Sequence, residues 1–150
     1  MGINTQKVVA GGLAAGVVLN VIDYLVNAVI LADAMKTDAN NFQPGLGDSM
    51  AQMAGGTIAG HVLMDFVVGC LLVWTYAAMR PRFGPGAKTA IYVALLFFCF
   101  GMILSSGYME IGMMAPKTWW TYALIWLVNL VLASWVGGRL YTEDGSPATA

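Results

Sequence analysis

Residues 89–114 read TAIYVALLFFCFGMILSSGYMEIGMM, and the only charged residue among them is Glu110. Such a run reaches the ~20 residues that a helix needs to cross the hydrocarbon core of a bilayer. Further long apolar runs lie at 8–31, 57–79 and 119–141. The sequence therefore predicts an integral membrane protein with almost no mass outside the membrane.

The composition supports this prediction. Hydrophobic residues are 59% of the 150-residue chain and charged residues only 10%, against about 25% charged residues in soluble domains. We predict a single all-α domain, a four-transmembrane-helix bundle. Its helices are expected at about 8–31, 50–79, 88–114 and 119–141, with an outer loop at 32–49 and a disordered tail at 142–150. The net charge of −1 and the lack of a basic run predict no nucleic-acid partner.

The distribution of positive charge predicts the orientation. With four spans, both termini and the loop between the second and third helices share one side of the membrane. That side carries Lys7, Arg80, Arg82, Lys88 and Arg139, and the other carries Lys36 and Lys117. Because loops rich in Lys and Arg stay in the cytoplasm, both termini are predicted to be cytoplasmic, in a bacterial inner membrane.

Polar side chains inside the spans form one predicted layer in the outer leaflet. At 1.5 Å of rise per residue, Asp23 and Asp65 should lie roughly 9–12 Å below the outer surface, and Asn129 returns to that depth. The full set is Asn20, Asp23, Asn27, His61, Asp65, Glu110 and Asn129. A charge that faces lipid is costly, so these side chains should point into the bundle or toward water.

Two interpretations of this layer remain open. One is an ion or proton relay, or a site for a polar ligand. The other is a hydrogen-bond network that holds helices together, in which an aspartate is neutral or pairs with His61.

No cofactor and no metal site are predicted. His61 is the only histidine, and even with Asp65 it supplies only two metal ligands. Cys70 and Cys99 lie deep inside apolar runs and are expected to be buried structural thiols. We predict no enzyme. Glu110 and His61 could act as an acid and a base on a lipid, but no nucleophile is evident near them.

Small and aromatic residues suggest how the helices pack. Gly12 with Gly16, and Gly56 with Gly60, form GxxxG pairs, which let helix backbones approach closely. Aromatic belts at the two membrane surfaces are predicted from Trp74, Tyr76, Trp119, Trp120 and Tyr141. Arg80-Pro81 is expected to stop the second helix, and Pro116 the third.

The loop at 76–90 reads YAAMRPRFGPGAKTA, and its prolines and glycines predict a tight turn. Arg80, Arg82 and Lys88 form a basic cluster there, which either sets the topology or meets anionic headgroups. With Asn20 and Asp23 in the first span, this turn resembles a group of small, functionally uncharacterised bacterial four-helix membrane proteins. The resemblance implies the fold and no activity.

Two functions are consistent with these features. The first is a non-catalytic accessory subunit that packs into a larger membrane assembly, with the lipid bilayer and other membrane subunits, or itself, as partners. The second is a small homo-oligomeric carrier of ions, protons or small solutes that uses the intramembrane carboxylates.

Overall fold

The computed structural model describes residues 2–52 and 55–142, and all regular elements in these ranges are helical. The elements are α1 (Thr5–Leu25), a π-helical turn (Val26–Ile30), α2 (Ala32–Phe42), α3 (Leu46–Ala51), α4 (Gly55–Phe83), α5 (Ala87–Glu110) and α6 (Pro116–Leu140). Within these ranges four stretches are long and apolar enough to cross a membrane: Thr5–Ile30, Thr57–Phe83, Ala87–Glu110 and Pro116–Leu140. The predicted all-α fold with four candidate spans is confirmed, and a multi-pass membrane protein is indicated. Apart from Thr142, the predicted tail lies outside the described residues.

Glycines bring α1 and α4 into close contact. A Cβ at Gly12 would stand 2.6 Å from Cys70 Cα, and one at Gly16 would stand 2.8 Å from Phe66 Cα. From the other side, Gly69 packs against the backbone of both α1 glycines. The predicted GxxxG contact of α1 is therefore made within the chain. Helix α6 also packs against α1, and α4 and α6 each contact all three of the other spans.

The second predicted GxxxG pair behaves differently. A Cβ at Gly60 would meet nothing within 4 Å, so this glycine makes no close contact with another helix in residues 2–52 and 55–142. The sequence favours packing within the bundle for this pair, with contact to a partner chain as the alternative, and the open space at Gly60 favours the alternative.

The turn between α4 and α5 corrects one predicted boundary. Helix α4 does not stop at Arg80-Pro81 but continues to Phe83 with Pro81 inside its last turn. Proline removes the hydrogen bond that residue 81 would donate to the Ala77 carbonyl, and the helix ends two residues later. The helix ends at Gly84, which has φ +84° and donates its N–H to the Arg80 carbonyl at 2.9 Å. Glycine enters this left-handed conformation without steric cost.

Pro116 also has a different role from the predicted one. Helix α5 already ends at Glu110, and Gly112, with φ +79°, turns the chain. Pro116 then begins α6 as its first residue. Proline suits this position because the first N–H groups of a helix have no partner inside the helix.

The predicted outer loop is largely helical, and we call its two helices, α2 and α3, the cap. Lys36 Nζ lies 2.8 Å from Asp48 Oδ1, which links the two helices across exposed surface. The bond to the Lys36 ammonium lowers the pKa of Asp48, and the same contact raises the pKa of Lys36. Asp38 Oδ2 accepts the N–H of Ala115 at 3.0 Å, so the cap is tied to the start of α6. This side of the bundle is the cap end.

At the opposite side, the turn end, two predicted belt tyrosines are buried instead. Tyr76 and Tyr141 are each 3% exposed, and their rings meet edge to face at 6.4 Å. The Tyr76 hydroxyl accepts the Gly86 N–H at 2.8 Å, and the Tyr141 hydroxyl accepts the Asn4 N–H at 3.3 Å. Their role is to fasten the turn and the start of α1 to the bundle. Trp119 is buried as well, at 6% exposure, at the first turn of α6.

Candidate functional site in the polar layer

The centre of the polar layer is a contact between α1 and α6. Asn129 is fully buried, and its Nδ2 donates to Asp23 Oδ1 at 2.8 Å and to the Leu19 carbonyl at 3.4 Å. Both partners lie on α1, so this one amide joins the two helices. The Asn129 Oδ1 is also buried, but no donor in the described part of the chain reaches it. A buried acceptor without a donor costs ~1–3 kcal/mol, so this atom requires an explanation.

Two further side chains complete the layer. Asp65, on α4, is half-buried and lies within electrostatic range of Asp23 and His61. Tyr122, on α6, lies within electrostatic range of both carboxylates. Of these four residues from three helices, Asp23 and Asn129 are in direct contact, and Asp65 and Tyr122 interact with Asp23 at longer, electrostatic range. We call the four residues the polar layer.

Sequence reasoning missed Tyr122. Its signal was present, because Tyr122 and Asn129 are seven residues apart and so share one face of α6. A tyrosine near a tryptophan-rich helix start resembles an interfacial anchor, and its place beside two carboxylates depends on how α6 is rotated in the bundle.

The other predicted members of the layer lie apart from this centre. Asn20 donates to its own helix at the Gly16 carbonyl and to the Val62 carbonyl of α4 at 3.2 Å, so it fastens two helices. Asn27 is exposed, and its Nδ2 donates to the Asp23 backbone carbonyl one turn earlier. Glu110 is exposed at the end of α5.

His61 is exposed as well. Its Nδ1 lies 2.8 Å from the carbonyl of Thr57, one turn earlier on the same helix. The ring makes no hydrogen bond to Asp65 within the described residues, so the predicted pairing of these two side chains is limited to electrostatic range.

Two residues of the basic cluster at the turn make cation–π contacts with tyrosine rings. The Arg80 guanidinium lies 5.8 Å from the centre of the Tyr141 ring, and Lys88 Nζ lies 5.8 Å from the centre of the Tyr92 ring. Such cation–π contacts orient a positive charge without neutralising it. Arg82 and Lys88 are exposed, so their charges are available to headgroups at the turn end.

The structure also shows where possible metal ligands and the two thiols lie. Over residues 2–52 and 55–142, no three His, Cys, Asp or Glu side chains come together as metal ligands. Cys70 is half-buried, whereas Cys99 is exposed on α5, so the expectation of a buried thiol is wrong for Cys99. The side of α5 that carries Cys99 faces away from the other helices.

The most unusual surface is the cap-end half of α4. All eight residues from 57 to 64 are exposed, although a packed helix normally buries one side. Leu63 and Met64 are each 64% exposed. We call residues 57–64 the free segment. Beside it, an open and almost entirely apolar groove of about 400 Å³ runs between α1 and α4. Its lining is Val17, Asn20, Val21, Tyr24, Leu25, Val62 and Phe66.

No protein-family model matches this chain, and neither the curated proteins nor the solved structures contain a match. Inferences about its function therefore depend on the geometry of the polar layer and the free segment.

Proposed function

We propose that this chain is a non-catalytic four-helix subunit of a larger membrane protein assembly, and that another membrane chain packs against the free segment. The observation that carries the proposal is the exposure of every residue from 57 to 64 inside a candidate span. A helix that packs only against its own bundle would bury one side of these two turns.

The side chains of the free segment suit a protein neighbour better than lipid. His61 lies four residues inside the candidate span, where polar groups are disfavoured against hydrocarbon. Its ring carries a second nitrogen, Nε2, that a partner helix can bond. Gly60 leaves open space beside it, which allows a second backbone to approach closely. The apolar groove between α1 and α4 extends the same surface.

We further propose that the assembly lies in a bacterial inner membrane with both termini in the cytoplasm. The support is the five Lys and Arg residues at the turn end against two at the cap end. Single cysteines introduced at position 2 and at position 41 in the cap, in a cysteine-free background, should react oppositely with an impermeant reagent in intact cells. Labelling at position 2 would contradict the proposed orientation.

Purification in a mild detergent followed by mass spectrometry tests the subunit proposal. The wild-type chain should bring with it one or more other membrane proteins in fixed ratio. Gly60→Leu fills the open space and should abolish this association. Gly107→Leu is the matched control, because Gly107 on α5 also has nothing within 4 Å, and it should leave the association intact. A wild-type chain that always elutes alone, or only with itself, would refute the proposal.

A second candidate function is a small homo-oligomeric carrier of ions, protons or small solutes. The polar layer supports it, since the Asp23 carboxylate bonds the Asn129 amide inside the candidate spans, with Asp65 and Tyr122 within electrostatic range of Asp23. Flux through proteoliposomes with wild type and Asp65→Asn tests this function, with Asp33→Asn in the cap as the control. Equal flux for wild type and Asp65→Asn would count decisively against a relay through Asp65.

A further inference from the structure

Asp65 differs from Asp23, the other aspartate inside a candidate span. Asp23 accepts a hydrogen bond from the buried Asn129 amide, whereas Asp65 accepts none from the described residues. Asp65 lies eight residues inside the span Thr57–Phe83, which is about 12 Å at the rise of an α-helix. The residue is half-buried, and neither oxygen of its carboxylate is fully enclosed by the chain. The carboxylate is therefore open to a group from outside the chain.

The face of α4 that carries Asp65 runs from the free segment into the bundle. The residues that share this face, at spacings of three, four and seven, are Ile58, His61, Asp65 and Leu72. Ile58 is 56% exposed and His61 is exposed, whereas Leu72 is fully buried. The half-buried Asp65 therefore lies where the other helices begin to cover this face. A helix that packed along this side of the free segment would reach its carboxylate.

The chain's own Lys and Arg residues lie away from the middle of the spans. They are at 7, 36, 80, 82, 88, 117 and 139, each near the end of a span or in the cap. The His61 ring, one turn from Asp65, lies against the Thr57 carbonyl instead. Inside a bilayer, acidic side chains pair with basic ones, because an isolated charge is costly in hydrocarbon. A chain that covers this face of α4 should therefore bring a positive charge with it.

We infer that the partner chain presents a transmembrane helix to the face formed by Ile58, His61 and Asp65, and that this helix carries a Lys or Arg that pairs with Asp65. The inference rests on the proposed function, since it names the chemistry of the chain that covers the free segment. Charge argues against a second copy of this chain, because a symmetric contact through this face would bring two Asp65 carboxylates together. The free segment is exposed on every side, so the side that carries Gly60 stays open to another helix of the same partner.

Photo-crosslinking from position 58 identifies the partner helix without changing Asp65. A photoreactive amino acid replaces Ile58, and the crosslinked peptide is sequenced by mass spectrometry after irradiation in native membranes. The peptide should come from a transmembrane span of a different protein, with a Lys or Arg inside that span. A peptide from a span that contains neither residue would overturn the inference and leave the subunit proposal standing.

Co-purification in a mild detergent then tests the charge. Asp65→Asn should lower the yield of the partner roughly tenfold or more, because the partner's cation is left unpaired. Asp33→Asn, the same substitution on the exposed surface of the cap, should leave the yield unchanged.

A charge swap separates a lost ion pair from a variant that fails to fold. Asp65→Lys alone should abolish the association, and an aspartate in place of the partner's basic residue should restore it. Equal yields from wild type and Asp65→Asn, or a loss that the swap does not reverse, would overturn the inference while the partner still identifies a subunit. A wild-type chain that elutes alone would refute the subunit proposal and the inference with it.

Discussion

The close approach of α1 and α4 predicts that Gly12→Ala weakens the bundle. A Cβ at Gly12 would stand 2.6 Å from both Cys70 Cα and Sγ, whereas ordinary contacts begin near 3.4 Å. The helices must then separate by about 1 Å, and overpacking of this kind costs ~1–3 kcal/mol. Alanine recovers up to ~1 kcal/mol of helix propensity relative to glycine. We therefore expect a net loss of roughly 0.5–2 kcal/mol.

The assay is reversible unfolding in mixed micelles, read by steric trapping or by titration with a denaturing detergent. Gly60→Ala is the matched control, since it is the same substitution on a candidate span with nothing within 4 Å of the new Cβ. Its effect should stay within ~0.5 kcal/mol. The reasoning is refuted if Gly12→Ala unfolds at the same detergent concentration as wild type, or if both variants lose stability equally.

Three further predictions concern the two ends of the bundle. Tyr141→Phe removes the acceptor of the Asn4 N–H and should lower stability by ~0.5–1.5 kcal/mol, with faster amide exchange at the start of α1; unchanged exchange there would contradict it. Asp48→Asn removes the negative charge that pairs with Lys36. Because this pairing lowers the pKa of Asp48, its stabilisation of the cap is present at neutral pH and is lost as pH falls below the ordinary value of 3.8. Hydrogen exchange in α2 and α3 should therefore differ between variant and wild type at pH 7 and converge in acid, and a difference that persists in acid would contradict this. Asp38→Ala leaves the amide before α6 without its acceptor and should speed exchange in the cap without moving the turn end, as measured by mass spectrometry.

The number and approximate position of the spans were predictable because a bilayer sets a minimum length for apolar runs. The exact ends were less predictable. Pro81 lies inside the last turn of α4 rather than after the helix, and Pro116, which was expected to end the third helix, instead begins the fourth. Both outcomes depend on where the neighbouring glycines turn the chain.

The depth of each residue within the membrane could also be predicted from the sequence, because each residue of a helix adds a fixed rise along the helix axis. This is why Asp23 and Asn129 could be assigned to one level before their contact was seen. The rotation of each helix about its axis, which decides which side chains face the other helices, could not be predicted in the same way. His61 and Asp65 share a face of α4 by spacing, yet His61 is exposed whereas Asp65 is half-buried.

Photo-crosslinking from the free segment tests the central claim most directly. A photoreactive amino acid is introduced at Leu63, and separately at Ile103 on α5, which is 73% exposed. After irradiation in native membranes, position 63 should give one discrete crosslinked band that contains a different membrane protein, and position 103 should give none. Crosslinks to lipid alone at both positions, or the same products from both, would contradict the proposal that another chain covers the free segment.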